Sequence, residues 1–450
     1  MMGRCVPACV NGVVSPFFVV VKSCFCRLIH CQTRCITPLC VICQLRCSFL
    51  LFCVITFLVI LPLLFHDDQH SLFFLHSNKT RLTEMMNSMN TRRIAAAEQY
   101  FSQLNVSRRP TQRYEMRDNI ASADTVTVAL TIITVSRNRH EIDRYEPKYL
   151  TQTVWKFHSL LQNRWLEHHK VSIHMSVCNV DSRAASYNEA HTLSTFVPIF
   201  SRFNDTHFSL VHPLEKEKQD YVFCLNKSLT VQKSADYIFL VEDDAFPTDD
   251  VFDVLCHVLL MHTEHSFVRG EFDAKPSDVA FVKFYHPERL LNFVSLQPER
   301  LPELFAYAAV LSTVLIVVYT VICQISVACS DAVAVNAWWM QLFIFSVVVL
   351  LACGRPGISA WRHVASPLFY SYTPAPSCCT PALLFPRPSA MLTVSYLSNN
   401  TCGANIGKDS LLDQMLHSLQ LRAFLVQPNT FSHIGVYSSL RLRIVDPFLV

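Results

Sequence analysis

The sequence predicts an α/β protein with a doubly wound sheet, one apolar helix ahead of it and an apolar helical hairpin inserted within it. Strand-length runs of β-branched and aliphatic residues alternate with segments of helical periodicity, which is the pattern of such sheets. Residues 48–65 form an uncharged run of 18 residues. Residues 304–353 are apolar apart from one charge, Asp331. These features together indicate a folded domain that is anchored in a membrane and interrupted by further spans.

Composition narrows the class of protein. The chain has 450 residues, of which 51% are hydrophobic and 16% charged, and a net charge of +3. This is too apolar for an ordinary soluble enzyme and too polar for a many-pass carrier, so one folded domain plus a few spans is predicted. No basic stripe with interleaved aromatic residues is present, which argues against a nucleic-acid binder. With 8 glycines and no GxGxxG or P-loop motif, nicotinamide and P-loop chemistry are excluded.

The cysteines are unevenly distributed, with ten of the 19 between Cys5 and Cys53. Cysteines crowded before a span indicate S-acylation, and unmodified cytosolic thiols remain the alternative. Cys40 and Cys43 have no second pair at zinc-ligand spacing, so no structural zinc site is predicted.

The apolar run at 48–65 is long enough to cross a bilayer core of roughly 30 Å. Five basic residues and no acidic residue precede it, whereas Asp67 and Asp68 follow it. This charge bias predicts a cytosolic Cys-rich tail over 1–47 and places everything after the span in the lumen. A cleaved signal peptide is less favoured, because the apolar run begins late.

The second apolar region predicts a transmembrane hairpin over 304–353. Residues 304–325 and 332–353 are each long enough to span, and 326–331 form a short turn. A buried hairpin of a soluble domain is the alternative. Five glycosylation sequons flank the region, at Asn78, Asn105, Asn204, Asn226 and Asn399. All five sequons can lie on the lumenal side only if the chain crosses the membrane an even number of times between them. A two-helix hairpin supplies two crossings.

The remaining chain divides into a stem and a folded domain in two parts. The lumenal stem is predicted over 66–120, with a helix at Arg81–Leu104, and the domain over 121–303 and 354–450. Strands are predicted at Thr125–Val135, Val171–Val180, Tyr237–Val241 and Val279–Tyr285. Helices are predicted at Tyr149–Glu167, Asp220–Lys233, Val251–His262 and Ser410–Leu421.

An acidic triplet, Glu242-Asp243-Asp244, follows the strand Tyr237–Val241 directly. Ligands of such sheets bind at the carboxyl ends of strands. Three adjacent carboxylates repel one another, and a hard divalent cation with oxygen ligands offsets this. A cation that bridges a diphosphate also stabilises the charge of a departing nucleoside diphosphate. The alternative is an acidic first turn at a helix N-terminus.

Several segments resemble glycosyltransferases. Tyr237–Pro247 (YIFLVEDDAFP) resembles the variant DxD segment of GT-A enzymes, and Pro428–Leu440 (PNTFSHIGVYSSL) resembles a segment of inverting GlcNAc-transferases. With the inserted hairpin, Phe284–Arg289 (FYHPER) and Cys378–Ala382 (CCTPA) resemble the post-GPI-attachment-to-proteins factor four family, over roughly residues 100–440. The resemblance implies a GT-A-like, Rossmann-like lumenal domain. It also implies a multi-pass Golgi membrane enzyme that transfers N-acetylgalactosamine from UDP-GalNAc to the first mannose of GPI glycans.

The same resemblance implies roles for particular residues. Mn²⁺ or Mg²⁺ is the expected cofactor. Val135, Ser136 and Arg137 are expected to meet the uridine and diphosphate, Asp244 to bind the metal, Glu242 and Asp243 to contact the ribose or a water on the metal, and His433 to add a ligand to metal or diphosphate.

The base of an inverting transfer must be a carboxylate that takes the proton of the acceptor hydroxyl. Asp409 is the first candidate, and capping of the helix that follows it is the alternative role. Glu288 is the rival base, with a structural pairing to arginine as its alternative. Lys408 is expected to pair with phosphate or with Asp409.

Two other functions stay open on the sequence. A GT-A enzyme that adds another sugar to N-glycans or glycolipids shares the same short motifs. A catalytically inactive GPI-binding adaptor is the alternative from a different class. The inserted hairpin favours an acceptor anchored in lipid, because it holds the domain against the bilayer.

Overall fold

The computed structural model describes residues 49–66, 68, 70–74, 79–107, 125–137, 147–162, 171–204, 211–263, 278–293, 300–325, 335–403, 405–438 and 443–444. These residues form two compact units. One comprises the described parts of 1–75 and 303–353, and the other those of 76–302 and 354–450. The predicted cytosolic tail and the predicted turn at 326–331 lie outside the described residues.

The second unit is α/β. Its strands are β1 (Val126–Thr134), β2 (Val171–Asn179), β3 (Ile199–Ser201), β4 (Tyr237–Glu242), β5 (Ala245–Pro247), β6 (Val279–Lys283), β7 (Ser371–Pro374), β8 (Ala382–Pro386), β9 (Arg422–Gln427), β10 (Phe431–His433), β11 (Tyr437–Ser438) and β12 (Arg443–Ile444). Eight strands form one sheet in the order β3-β2-β1-β4-β8-β6-β9-β7. Neighbours from β3 to β4 are parallel, as are β6 and β9, whereas β8 and β7 run antiparallel to their neighbours. The sheet is therefore mixed, and consistent with the predicted Rossmann-like class.

Helices alternate with these strands as the periodicity predicted. The longer ones are Lys79–Ser107, Tyr149–Leu161, Pro213–Val231, Val251–Thr263, Arg387–Asn399 and Lys408–Leu419. The helix predicted from Asp220 begins earlier, at Pro213. Proline suits the first turn of a helix because it lacks an N–H that would have no partner there. The side chain of His212 accepts a hydrogen bond from the Leu214 N–H and caps this end.

Strand β1 lies in the middle of two hydrophobic layers. Its residues Val128, Leu130 and Ile132 are buried in one cluster, and Ala129 is buried in the other. Side chains of a strand alternate between faces, so burial of both sets requires helices on both sides of the sheet. A disulfide joins Cys178 at the end of β2 to Cys224 on helix Pro213–Val231.

Strand β8 completes the centre of the sheet. It follows the inserted apolar helices in sequence, and it pairs with β4 on one side and with β6 on the other. The chain before and after the insertion therefore contributes to one sheet.

The helix predicted within the stem packs into the core of the α/β unit. Helix Lys79–Ser107 inserts Phe101 into the core, where its ring lies 4.7 Å from that of Phe196. Arg93 also donates a hydrogen bond to the Gln152 side chain at 2.7 Å. Tyr100 and Phe101 of this helix pack against the core of the sheet. The helical composition of the segment did not predict this contact.

The first unit consists of apolar helices. Among the described residues, Leu301–Val321 is long and apolar enough to cross a membrane, and a second span exists if Trp339–Cys353 and Arg355–Ala365 are counted as one bent span. The apolar helix Phe49–Phe65 is shorter. The helices of the predicted hairpin run over Leu301–Ile325 and Val335–Cys353. Their number as membrane spans stays a prediction.

These helices pack together through aromatic residues. Phe345 lies 5.1 Å from Phe52 and 5.9 Å from Phe57, measured between ring centroids. Phe305 and Phe343 connect the two hairpin helices at 6.2 Å. Large apolar side chains such as Leu64 and Val310, 70% and 62% exposed, cover the outside of the unit.

Candidate functional site

The site lies at the carboxyl edge of the central strands. Strands β1 and β2 pair so that Thr134 lies opposite Asn179, and β4 pairs with β1 so that Glu242 lies opposite Ile133. The three parallel strands therefore end at the same edge, where ligands of α/β sheets bind. The acidic triplet and the predicted segment Val135–Arg137 meet there.

A small two-stranded sheet brings His433 to the triplet. Strand β10 pairs with β5 so that His433 lies opposite Ala245, the residue after Asp244. The Ile434 N–H donates to the Asp244 carbonyl at 2.8 Å, which fixes the register. As a result, His433 Nε2 lies 3.5 Å from Asp244 Oδ2, although the residues are far apart in sequence.

Arg137 closes the other side of the cluster. Its Nη2 lies 2.8 Å from Asp243 Oδ1 and 3.1 Å from Asp244 Oδ2. The guanidinium lies over the ring of Tyr149, 4.9 Å from the centroid. The Tyr149 hydroxyl in turn accepts a hydrogen bond from the Val436 N–H at 2.8 Å. Arg137 is thereby held against both carboxylates.

Gly435 leaves room for the Asp244 carboxylate. A Cβ at this position would lie 2.3 Å from Asp244 Oδ2 and 3.0 Å from its Cγ. No side chain other than hydrogen fits without displacement of the carboxylate. The glycine of the HIG motif therefore has a steric role at the site.

The donor atoms of the cluster fit a hard divalent cation. Asp244 Oδ1 is buried and has no hydrogen-bond partner among the described residues. Arg137 Nε and Nη1 are likewise buried and have no such partner. Carboxylate oxygen and imidazole nitrogen are accepted ligands of Mn²⁺, and carboxylate oxygens of Mg²⁺. The unpartnered cationic nitrogens suit an anion next to such an ion. Asp244 and His433 are the residues of this chain that would hold the metal.

The charges of the cluster shift the protonation of its members. Burial alone raises the pKa of Asp244, but Arg137 and His433 outweigh it and hold this pKa below its usual value. Burial lowers the pKa of His433, and the negative charge of Asp244 more than reverses that effect. Burial raises the pKa of Asp243 to about 7 against the opposing charge of Arg137. Asp244 is thus kept ionised near neutral pH, which the predicted role as an anionic metal ligand requires.

Lys408 is paired with carboxylates rather than with Asp409. Its Nζ lies 2.8 Å from Glu242 Oε1 and 2.9 Å from Glu217 Oε1. The expected pairing with Asp409 is replaced because helix Lys408–Leu419 directs the two consecutive side chains to different partners. These carboxylates outweigh burial and raise the pKa of Lys408 well above its usual value. Glu242 therefore forms an ion pair with Lys408, and its charge also acts on Asp244 and His433.

A cavity of about 460 Å³ opens beside the cluster. Val135, Ser136, Arg137, Asp243 and Tyr187 line it. This volume lies within the roughly 300–1,000 Å³ of small-ligand pockets. The segment predicted to meet a nucleotide therefore borders a cavity of suitable size, next to the buried guanidinium of Arg137.

Asp409 occupies the first turn of its helix. Gly407 is the N-cap, so the capping role considered for Asp409 is wrong. Its Oδ2 accepts a hydrogen bond from the Cys379 N–H at 2.8 Å, and its Oδ1 accepts one from the Thr380 hydroxyl at 3.0 Å. The carboxylate is held by the CCTPA segment, which leads into β8 beside Glu242.

Glu288 has an asparagine among its partners. Its Oε1 accepts a hydrogen bond from Asn429 Nδ2 at 2.6 Å, and the same nitrogen donates to the His286 carbonyl. The Asn429 side-chain oxygen also accepts from the His286 N–H. These bonds tie the FYHPER segment to the turn before β10, which is a structural role.

The model of one protein family matches residues 128–432, more than half of the chain. Its description is GPI-N-acetylgalactosamine transferase PGAP4. The chain belongs to this family. The family suspected from the motifs is thus confirmed, and the chain is a glycosyltransferase whose family indicates a GPI-related acceptor.

The matched range contains the site of this PGAP4-family chain almost completely. It covers Arg137, the acidic triplet and Asp409, and it ends one residue before His433. The roles assigned to these side chains stay predictions, since a family match does not identify ligands.

Further residues at the edge of the PGAP4-family site were not found from the sequence. Thr134 donates a hydrogen bond to Asp243 Oδ2 at 2.7 Å, and the Tyr187 hydroxyl lies 2.9 Å from Thr134 Oγ1. Asp181, just after β2, accepts hydrogen bonds from the N–H groups of Ser136 and Arg183. A polar residue directly after a buried strand was the available signal for Asp181. Nothing in the sequence places Tyr187 at the site.

Proposed function

We propose that this chain transfers N-acetylgalactosamine from UDP-GalNAc to the mannose core of GPI anchors, with a divalent cation and with inversion, in the Golgi membrane. The observation that carries the proposal is the Asp244–His433 pair beside Arg137, because it joins the two glycosyltransferase-like segments at one edge of the sheet. The family supports the GPI acceptor and the UDP-GalNAc donor, and the carboxylate and imidazole ligands of the cluster support the cation.

The cavity next to Arg137 supports binding of a nucleoside-diphosphate donor. The unpartnered guanidinium nitrogens supply charge-assisted hydrogen bonds to a diphosphate. Val135 and Ser136 line the same cavity and lie two residues and one residue before Arg137, which agrees with a uridine bound beside its phosphates. A divalent cation held by Asp244 and His433 would neutralise charge on the departing UDP.

Asp409 is the proposed base. An inverting transfer forms the bond from the acceptor oxygen to the anomeric carbon while the bond from that carbon to the diphosphate oxygen breaks. The proton of the acceptor hydroxyl passes to a carboxylate. The Cys379 N–H and the Thr380 hydroxyl orient both oxygens of Asp409. Its neighbour Lys408 contacts Glu242, so the base and the acidic triplet are linked through one rigid helix end.

The membrane and Golgi assignments rest on separate observations. The first unit exposes apolar side chains of helices that pack together, and a bilayer removes such surface from water. The Cys178–Cys224 disulfide suits an oxidising lumenal compartment. The described sequon residues Asn105, Asn204, Asn226 and Asn399 are exposed on the α/β unit, which agrees with one lumenal side.

The test uses the full-length protein in detergent with a GPI acceptor. UDP-GalNAc, UDP-GlcNAc and UDP-Gal are supplied with and without Mn²⁺, and the product is analysed by mass spectrometry and by NMR at the anomeric carbon. We expect β-linked GalNAc transfer that requires the cation and is abolished by Asp244→Ala. Asp249→Ala is the matched control, because Asp249 is an 88% exposed aspartate that pairs only with half-buried Lys156 among its described salt bridges.

Different failures remove different parts of the proposal. Transfer of GlcNAc in preference to GalNAc rejects the donor, and an α-linked product rejects inversion. Equal activity after complete chelation rejects the metal. A protein that binds none of the three donors is an adaptor rather than a transferase.

A further inference from the structure

Two adjacent cysteines lie at the functional edge of the sheet. Cys378 and Cys379 precede Thr380, and β8 begins at Ala382 next to the end of β4. Their sulfur atoms are 2.7 Å apart. Both residues are half-buried, and their segment holds the proposed base.

A buried lysine fixes the backbone of this pair. Lys283 Nζ donates hydrogen bonds to the carbonyls of Pro376, Cys378 and Cys379 at 2.6, 2.9 and 3.3 Å. Lys283 is only 2% exposed. Because one ammonium group binds three backbone carbonyls within four residues, it holds the backbone of residues 376–379 in a tight turn that contains both cysteines.

The backbone of Cys379 is in an unfavourable region. Its φ is 70°, in the left-handed region that few residues other than glycine adopt. Such a conformation persists only where the surroundings determine it. This conformation presents the Cys379 N–H to Asp409 Oδ2 at 2.8 Å.

Metal binding is the competing use of the two thiols. An imidazole nitrogen of His286 and both sulfurs lie within 4.8 Å of one another, and His286 Nδ1 is buried without a partner among the described residues. Two sulfurs bound to one tetrahedral zinc at about 2.3 Å lie roughly 3.8 Å apart. The observed 2.7 Å is too short for that arrangement and closer to a covalent bond.

We propose that Cys378 and Cys379 close into a vicinal disulfide, and that this ring sets the position of Asp409. The proposal rests on the proposed function only for the role of Asp409. In the closed ring, Cys379 keeps its left-handed conformation and its N–H stays directed at the carboxylate. After reduction, the turn relaxes and Asp409 loses one of its two described orienting hydrogen bonds. Cys378 and Cys379 are thus positioning residues.

The oxidant is a small-molecule disulfide such as oxidised glutathione. The thiolate of one cysteine attacks a glutathione sulfur and releases one glutathione thiolate, and the second cysteine then displaces the other glutathione. One protein S–S bond forms, one glutathione S–S bond breaks, and the two thiol protons end on two glutathione molecules. A hydrogen bond from Cys379, together with the Lys283 ammonium, lowers the pKa of Cys378 to about 7, which favours Cys378 as the attacking thiolate.

The bond is read directly by mass spectrometry on the purified full-length protein. Unreduced protein is alkylated under denaturing conditions and digested. We expect the peptide that contains Cys378 and Cys379 to carry no alkyl group and to have a mass about 2 Da below that of its dithiol form. Two alkyl groups on this peptide overturn the proposal, as does a disulfide from either residue to another cysteine. One zinc per chain that is lost in the Cys378→Ser/Cys379→Ser variant overturns it too.

The positioning role is read by kinetics after mild reduction. Adjacent cysteines are about 3.8 Å apart at Cα, below the usual disulfide range, so this ring is more easily reduced than the Cys178–Cys224 bond. We expect reduction to lower kcat about tenfold with the donor KM unchanged. The Cys378→Ser/Cys379→Ser variant should show the lower kcat without reduction and no further response, whereas Cys402→Ser, at a half-buried free cysteine, should respond like the parent.

Asp409→Asn separates positioning from general stability. Once the carboxylate is gone, reduction has no orienting role to disturb, so the residual kcat of this variant should not change. A tenfold fall in Asp409→Asn overturns the link to Asp409, and an unchanged kcat in the parent overturns the positioning role. If no sugar is transferred at all but the bond is present, the proposed function fails and the disulfide stands.

Discussion

Two aspartates flank the short strand β5, and their surroundings differ. Asp244 lies before it, with Arg137 and His433 as partners and with Oδ1 unpartnered among the described residues. Asp250 lies after it and is fully engaged. Its Oδ1 accepts from the Thr248 hydroxyl at 2.6 Å, and its Oδ2 accepts from the Tyr370 hydroxyl and lies 3.0 Å from His363 Nδ1.

The contrast shows which property distinguishes the proposed ligand site from a structural one. The pKa of both aspartates is lowered against the effect of burial, at Asp244 by Arg137 and His433 and at Asp250 by hydrogen bonds from His363, Thr248 and Tyr370. A depressed pKa therefore does not separate them. The unsatisfied buried oxygen does, because a native structure seldom leaves one without a functional reason.

The largest expected effect comes from matched substitutions at these two aspartates. Asp244→Asn removes the anionic ligand, and we expect kcat/KM to fall on the order of 10³-fold. Asp250→Asn leaves the ligand atoms in place and should change kcat/KM less than about threefold. Both are measured with UDP-GalNAc and a GPI acceptor. Equal losses in the two variants break the distinction.

The second prediction tests the space around Asp244. Gly435→Ala places a Cβ 2.3 Å from Asp244 Oδ2, so the carboxylate must move. A displacement of about 1 Å at a reacting centre costs on the order of 10² in kcat/KM. Gly403→Ala is the control, because a Cβ there meets nothing within 4 Å. Normal activity in Gly435→Ala means that Asp244 is not held where the structure has it.

The third prediction concerns the other end of the triplet. Lys408→Met removes the cation that pairs with Glu242 and Glu217, so these carboxylates repel one another. We expect about a tenfold fall in kcat and a loss of about 1–2 kcal/mol in the free energy of unfolding. Denaturant titration measures the second quantity. Lys156→Met, whose partner Asp249 is exposed, should change neither quantity appreciably.

The smallest effect is the pH dependence of the Asp250 cluster. The folded-state pKa of Asp250 lies below its unfolded value, so its stabilising contribution is fully present above about pH 4 and lost as pH falls through the folded pKa. Asp250→Asn should therefore lower the free energy of unfolding by about 1–2 kcal/mol at pH 6. The difference from the parent should shrink at pH 3. If the difference in the free energy of unfolding between Asp250→Asn and the parent is the same at pH 6 and pH 3, ionisation of Asp250 is not the cause of the destabilisation.

The sequence was informative where a local pattern determines the structure. Strand β4 and the triplet were found because a buried aliphatic run ended in carboxylates. His433 was found because its motif resembles a known segment. The pairing of Arg137 with Asp243, and of Lys408 with Glu242, depends on which strand ends and helix ends meet in space. The packing of Phe101 likewise depends on tertiary contacts, so the helical composition of the predicted stem did not reveal it.

The central position of β8 has a consequence for biosynthesis. During translation, β4 and β6 are synthesised well before β8, and both apolar helices of the insertion are synthesised after β6 and before β8. Until β8 arrives, the strands on either side of its place have unpaired edges, which are sites of mispairing and aggregation. The sheet therefore stays incomplete until the inserted helices and β8 have been synthesised. Truncation before residue 382 should yield a chain that is retained by chaperones rather than a smaller folded domain.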